Sequence, residues 1–156
     1  MLRRSSRKWY SVKAVRSGSV VEVYEYEHLI LLGETNNGFG RSVQANEEDK
    51  ARHRKHTLAK AGRMVRRLIN ANVDVWGEKP KFLTLTFAEN VQDVKQANYE
   101  FKKFRQRLEY ELKLKLKYVV VVEFQKRGAV HYHVVFFNLP YVDADLLASV
   151  WRHGFI

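Results

Sequence analysis

The chain has 156 residues, 28 Lys and Arg against 17 Asp and Glu, a formal net charge of +11, and no cysteine. That length suits one domain, and 46% hydrophobic residues exclude wholesale disorder. The lack of cysteine excludes disulfides, thiolate zinc sites, iron–sulfur clusters and cysteine nucleophiles. Any metal must then be held by His and carboxylate, which points to Mg or Mn. No apolar run approaches the roughly 18 residues of a membrane span, so no membrane partner is expected. The basic start, MLRRSSRK, has no apolar stretch behind it and is not a signal peptide. A cytoplasmic protein with a polyanionic partner is expected.

Residues 1–21 form a basic arm carrying Arg3, Arg4, Arg7, Lys8, Lys13 and Arg16 with no acid among them. Residues 20–32 (VVEVYEYEHLILL) alternate apolar and acidic positions and predict one long strand or a bent pair. Residues 33–40 (GETNNGFG) read as a loop. Residues 47–71 predict a helix with Leu58, Ala61, Val65, Leu68 and Ile69 on one stripe, and Glu47, Glu48 and Asp49 at the positive end of its dipole. This helix holds a second basic cluster, including Arg52, Arg54 and Lys55. Basic side chains near a phosphate backbone release counterions on binding, so the two clusters are candidate nucleic-acid contacts that carry no base specificity. His53 and His56 lie one turn apart among these cations, which repel a metal, and they read as a solvated face.

Residues 82–87 (FLTLTF) predict a strand with Thr84 and Thr86 on one side and Leu83, Leu85 and Phe87 on the other. Asn90, with Asp93 three residues on, reads as a helix cap. Val94, Ala97, Phe101, Phe104, Leu108 and Leu112 follow at helical spacing. Residues 118–125 (YVVVVEFQ) and 129–137 (AVHYHVVFF) predict two strands. Asp143 caps a short helix closed by Gly154, and Phe155-Ile156 begins another strand. The order predicts an α+β fold, an antiparallel sheet with helices on one face in a ferredoxin-like βαββα(β) arrangement. Residues 1–45 are expected to form the arm and an N-terminal strand region, and residues 46–156 the core.

Lys126-Arg127-Gly128 fits a three-residue hairpin loop with Gly128 in the left-handed position, and Lys126 and Arg127 are further candidate nucleic-acid contacts. That register sets Gln125 against Ala129, Glu123 against His131 and Val121 against His133. Glu123, His131 and His133 then share one face, with opposed Cβ atoms about 5 Å apart. Two imidazoles and a carboxylate make a candidate site for a divalent metal with open positions for water and substrate. A lone His-X-His is more often a pair of satisfied core histidines; the carboxylate opposite, expensive to bury unpaired, raises the metal reading.

Residues 82–87 followed by residues 123–137 (EFQKRGAVHYHVVFF) resemble the HUH endonucleases, the replication initiators of rolling-circle plasmids, phages and related mobile elements. Tyr132 fills the middle of the His-hydrophobic-His motif, and the resemblance covers roughly residues 47–156. It implies an antiparallel sheet with the histidines on a central strand. It implies that His131 and His133 bind Mg or Mn with a third ligand, Glu123 in the first place and Gln125 in reserve. It implies nicking of single-stranded or hairpin origin DNA by a tyrosine, which leaves a 5′-phosphotyrosine and a free 3′-OH that primes replication.

The family's tyrosine lies on a helix after the second motif and one further strand. Tyr141 falls too early, Tyr118 starts a strand and Tyr132 faces away from the histidines. The expectation is therefore a nickase core incomplete at its C-terminus and inactive for nicking by itself. A relaxase-like enzyme using Tyr10, Tyr24 or Tyr26 is one alternative. The other is a non-catalytic module whose sheet stacks single-stranded bases. An incomplete sheet also leaves an edge beside residues 82–87, expected to be filled by residues 20–32 or by a second chain in a homo-oligomer.

Overall fold

The computed structural model describes residues 8–33 and 46–156, so Arg3, Arg4, Arg7 and most of the loop expected at 33–40 lie outside the described residues. A tight turn at Gly18-Ser19 organises the N-terminal part. It joins strand β1 (Trp9–Ser17) to strand β2 (Val20–Leu31) in an antiparallel hairpin, with Ser17 opposite Val20 and Val12 opposite Glu25. The register slips between Tyr10 and Val12 before Trp9 meets Leu31. Strand β1 corrects the reading of these residues as a plain basic arm: Lys13 and Arg16 are strand residues whose neighbours alternate well enough to pair.

Helix α1 (Glu47–Asn72) starts where Asn46 Oδ1 accepts the Asp49 N–H at 2.8 Å, with three acids in its first turn. Its apolar stripe is not buried: no residue of α1 is, and Leu58 and Leu68 are exposed. Arg52, Arg54 and Lys55 are exposed on it as well. What ties the helix to the hairpin is charge. Arg66 and Arg67 donate to the two oxygens of Glu22 at 2.6 and 2.5 Å, and Arg67 also reaches the Tyr24 hydroxyl at 2.9 Å. The Arg67 hydrogen bond holds the Glu22 carboxyl below the usual carboxylate range. The chain accordingly divides into Met1–Asn70 and Ala71–Ile156, with α1 grouped with the hairpin, whereas the sequence pattern predicts it in the core.

The C-terminal unit runs β3 (Lys81–Thr86), α2 (Val94–Leu112), β4 (Tyr118–Phe124), β5 (Val130–Phe136) and α3 (Ala144–Trp151). The sheet order is β3-β5-β4, antiparallel throughout, so the histidine strand is central. This is the expected α+β, ferredoxin-like order. Asp93 itself caps α2, accepting the Lys95 N–H at 2.8 Å, which displaces Asn90 from that role. Asp143 caps α3 as expected, but Arg152, at φ +68°, closes it in place of Gly154.

Alternation along the strands sorts the two faces. Leu83, Leu85, Val130, Tyr132, Val134 and Phe136 join Ala97, Phe101, Phe104 and Leu108 of α2 and Leu147, Val150 and Trp151 of α3 in one buried cluster. Thr84, Thr86, Glu123, His131 and His133 take the opposite face by the same alternation. Among the described residues, no helix is long and apolar enough to cross a membrane.

The free edge of β3 is met in a way not foreseen. Thr86 and Phe155 exchange backbone hydrogen bonds at 2.9 and 3.1 Å, and the Ala88 N–H reaches the His153 carbonyl at 2.7 Å. Residues 20–31 pair with β1 in a separate two-stranded sheet and do not fill this edge. Gly154 permits the approach: it sits at φ +148°, and a Cβ there would lie 2.4 Å from the Thr86 carbonyl oxygen and 2.5 Å from the Ala88 nitrogen. A Gly154→Ala variant should detach Phe155 from Thr86 and cost about 1–3 kcal/mol. Urea unfolding, with faster amide exchange at Thr86 and Ala88, checks this; unchanged protection there contradicts it.

Candidate metal and DNA site on the sheet face

The β4–β5 turn sets the site's register. The Gln125 N–H bonds the Ala129 carbonyl at 2.9 Å and the Gly128 N–H bonds the Gln125 carbonyl at 2.8 Å. Gly128, at φ +84°, takes the left-handed position that a side chain would strain. Glu123 then stands opposite His131 and Val121 opposite His133, as the loop length predicts. On the other side β3 aligns Thr86 with His131, Thr84 with His133 and Phe82 with Val135. Three cross-strand rows result: Glu123–His131–Thr86, Val121–His133–Thr84 and Val119–Val135–Phe82.

His133 is held at both nitrogens. Its Nε2 lies 2.5 Å from Glu123 Oε2, and its Nδ1 lies 3.1 Å from Thr84 Oγ1. Phe82 lies alongside it, ring centroids 5.8 Å apart and planes within 8°. His131 is different. It is buried, and its Nε2 has no hydrogen-bond partner. Burial pushes its pKa down, His133 and Arg127 push the same way, and Glu123 opposes them. The ring is therefore kept neutral, with a lone pair available to a ligand.

An unpartnered buried nitrogen is costly, and a cation bound there would relieve that cost. The donor set of two imidazoles and a carboxylate fits a Mg- or Mn-class ion. Among the described residues, no group of three His, Asp or Glu is already gathered at ligating distance. Glu123 reaches His133 instead, and its side chain is 63% exposed, so it has room to turn. Gln125, the reserve ligand, accepts a hydrogen bond from Arg127 Nε at 2.9 Å. Arg127 also donates to the Phe87 carbonyl at 3.4 Å, and both it and Lys126 are exposed beside the site. Thr84 and Phe82 are contributors whose roles the sequence left unassigned; the β3–β5 register identifies them.

Tyr132, though central in the motif, belongs to the core. Its hydroxyl donates to Asn98 Oδ1 at 2.8 Å, and burial pushes its pKa up to about 12. A Tyr132→Phe variant should lose about 1 kcal/mol of stability and keep its Mn affinity. Chemical unfolding and calorimetry check both halves; lost Mn affinity would place the hydroxyl at the site.

Residues 80–156 match a family model described as replication-associated protein, the ORF2 type among them. This part of the chain is similar to replication-associated proteins. The matched stretch contains the whole three-stranded sheet, the histidine face and α3. The match supports a replication-initiator role. No curated protein and no solved structure matches the chain.

Proposed function

We propose that this replication-initiator-like unit is a metal-dependent, single-stranded DNA nicking core of the HUH type, acting in rolling-circle replication. The observation that carries the reading is the unpartnered, neutral His131 Nε2 beside His133 within the matched stretch. His131 and His133 would hold Mg or Mn, with Glu123 turning from His133 to complete the set. The ion, when bound, supplies Lewis-acid polarisation of a scissile phosphodiester. Thr84 Oγ1 orients the His133 ring from behind, as partners of metal-binding histidines do. Lys126 and Arg127 place positive charge where the phosphate backbone enters, and the +11 net charge draws the polyanion in.

The tyrosines at hand do not occupy the attacking position. Tyr118 and Tyr132 pack toward the helices against Phe101, Tyr99 and Tyr110 ride on α2, and Tyr141 follows β5. In the other unit Tyr10 meets Tyr26 edge-on with centroids 5.9 Å apart, and Tyr24 is held by Arg67. Residues 1–156 should therefore bind DNA without joining it. Incubated with Mn and a randomised single-stranded oligonucleotide pool, the chain should retard DNA on a native gel and show no covalent band on a denaturing gel. A covalent band contradicts the placement of the tyrosines. Absence of DNA binding at low salt contradicts the reading as a whole.

A further inference from the structure

We infer that Phe82 is a stacking platform for one nucleobase of the bound single strand, next to the phosphate held at the histidines; this rests on the function proposed above. Phe82 is a large aromatic on the sheet's edge strand, 64% exposed, and takes no part in the buried cluster. Packing does not account for its presence. Its ring lies nearly parallel to that of His133, whose orientation Thr84 fixes, so the flat surface is held in a set relation to the candidate metal ligands.

The three rows grade in polarity along the strands. The first holds Glu123, His131 and Thr86; the last holds Val119, Val135 and Phe82. Rows are about 7 Å apart, since each step is two residues along a strand. A nucleotide has the same polarity profile, a charged phosphate at one end and a flat, largely apolar ring at the other. Arg127 lies at the polar end of the face, where its charge reaches His131. A base over Phe82 would leave its phosphate toward the histidines and would fix the strand's position there, a gain in orientation and not in chemistry. Stacking on an aromatic ring tolerates any base, so Phe82 sets register and affinity without reading sequence.

The test uses the full chain and one oligonucleotide taken from the bound pool, scanned with single abasic positions by fluorescence anisotropy. In the wild type, one position should lose affinity on the order of tenfold or more when its base is removed. Phe82→Ala should weaken binding of the intact oligonucleotide by a similar factor and abolish the response to that abasic position. Phe82→Trp should restore both, Phe82→Leu should restore neither, and Mn affinity should be unchanged in all three. Full DNA affinity in Phe82→Ala, or an abasic penalty that persists there, overturns the inference. So does wild-type binding by Phe82→Leu, which would mark a generic apolar contact. Lost Mn affinity in Phe82→Ala overturns it too, by making the ring a prop for His133. Failure of the wild type to bind single-stranded DNA is a separate result and removes the underlying function.

Discussion

Replacing both strand histidines, His131→Ala with His133→Ala, should abolish divalent-metal binding while leaving single-stranded DNA affinity largely intact. Changing an outer partner of a metal ligand commonly costs 10–100-fold in affinity; removing two nitrogen ligands should cost more than about 100-fold. Glu123 would remain as a single, largely exposed carboxylate, too little to hold a hydrated Mg or Mn ion firmly. DNA affinity comes from a different source, the Lys and Arg that displace counterions, and these are untouched. Calorimetry with Mn and anisotropy with an oligonucleotide measure the two properties separately. If the double variant binds Mn as the wild type does, the histidines are ordinary sheet residues and the non-catalytic binding module becomes the better reading. A joint loss of metal and DNA affinity would tie the DNA to the ion and not to the basic residues.

Trp151→Ala should be the most damaging single core substitution, costing about 3–5 kcal/mol. The indole is fully buried, packs on Phe87 at 4.9 Å and on Phe104 at 5.6 Å between ring centroids, and donates to the Thr86 carbonyl at 3.0 Å. Small domains are stable by only about 5–15 kcal/mol, so that loss consumes a large share. The same Thr86 carbonyl accepts from Phe155, and Thr86 is opposite His131. Loss of the indole therefore loosens the end of β3 that borders the histidines. Trp151→Phe keeps most of the packing and loses the N–H donor, so it should fall well short of the Ala variant. Urea unfolding followed by far-ultraviolet circular dichroism ranks the two; a cost below about 1 kcal/mol for Trp151→Ala contradicts the packing described.

Local signals carried the histidine hairpin. A three-residue loop ending in Gly128 sets the β4–β5 register, and period-two alternation then assigns every side chain to a face. The α2 stripe was equally legible, since Ala97, Phe101, Phe104 and Leu108 recur at helical spacing and are all buried. Thr84 and Phe82 were not, because β3 reaches β5 only by a pairing across α2 and β4 that no turn dictates. Their neighbours on β5 follow from tertiary packing alone. Strand β1 was missed for another reason. Its basic residues read as a charge run, although Gly18-Ser19 ahead of an apolar alternation is a hairpin signal. The α1 stripe shows the converse: helical spacing was present, yet no residue of the helix is buried. Its link to the hairpin runs through Glu22, Arg66 and Arg67, far apart in sequence and marked by no periodicity.

The expected filling of the β3 edge by residues 20–32 failed because those residues have a nearer partner in β1, one short turn away. Loop closure favours that pairing over a distant one. At the edge itself, Gly154 and Phe155 show that two residues suffice to begin a strand when a glycine lets the backbones approach.

The most direct measurement is Mn-induced line broadening across the amide spectrum of the full chain. Broadening at substoichiometric Mn should centre on His131 and His133 of β5, with Glu123, Thr84 and Thr86 next to them, and the same spectrum of the double histidine variant should stay sharp. Broadening confined to the acidic first turn of α1 at Glu47, Glu48 and Asp49, or a β5 that stays sharp while Mn is in excess, would contradict a metal site on the histidine face.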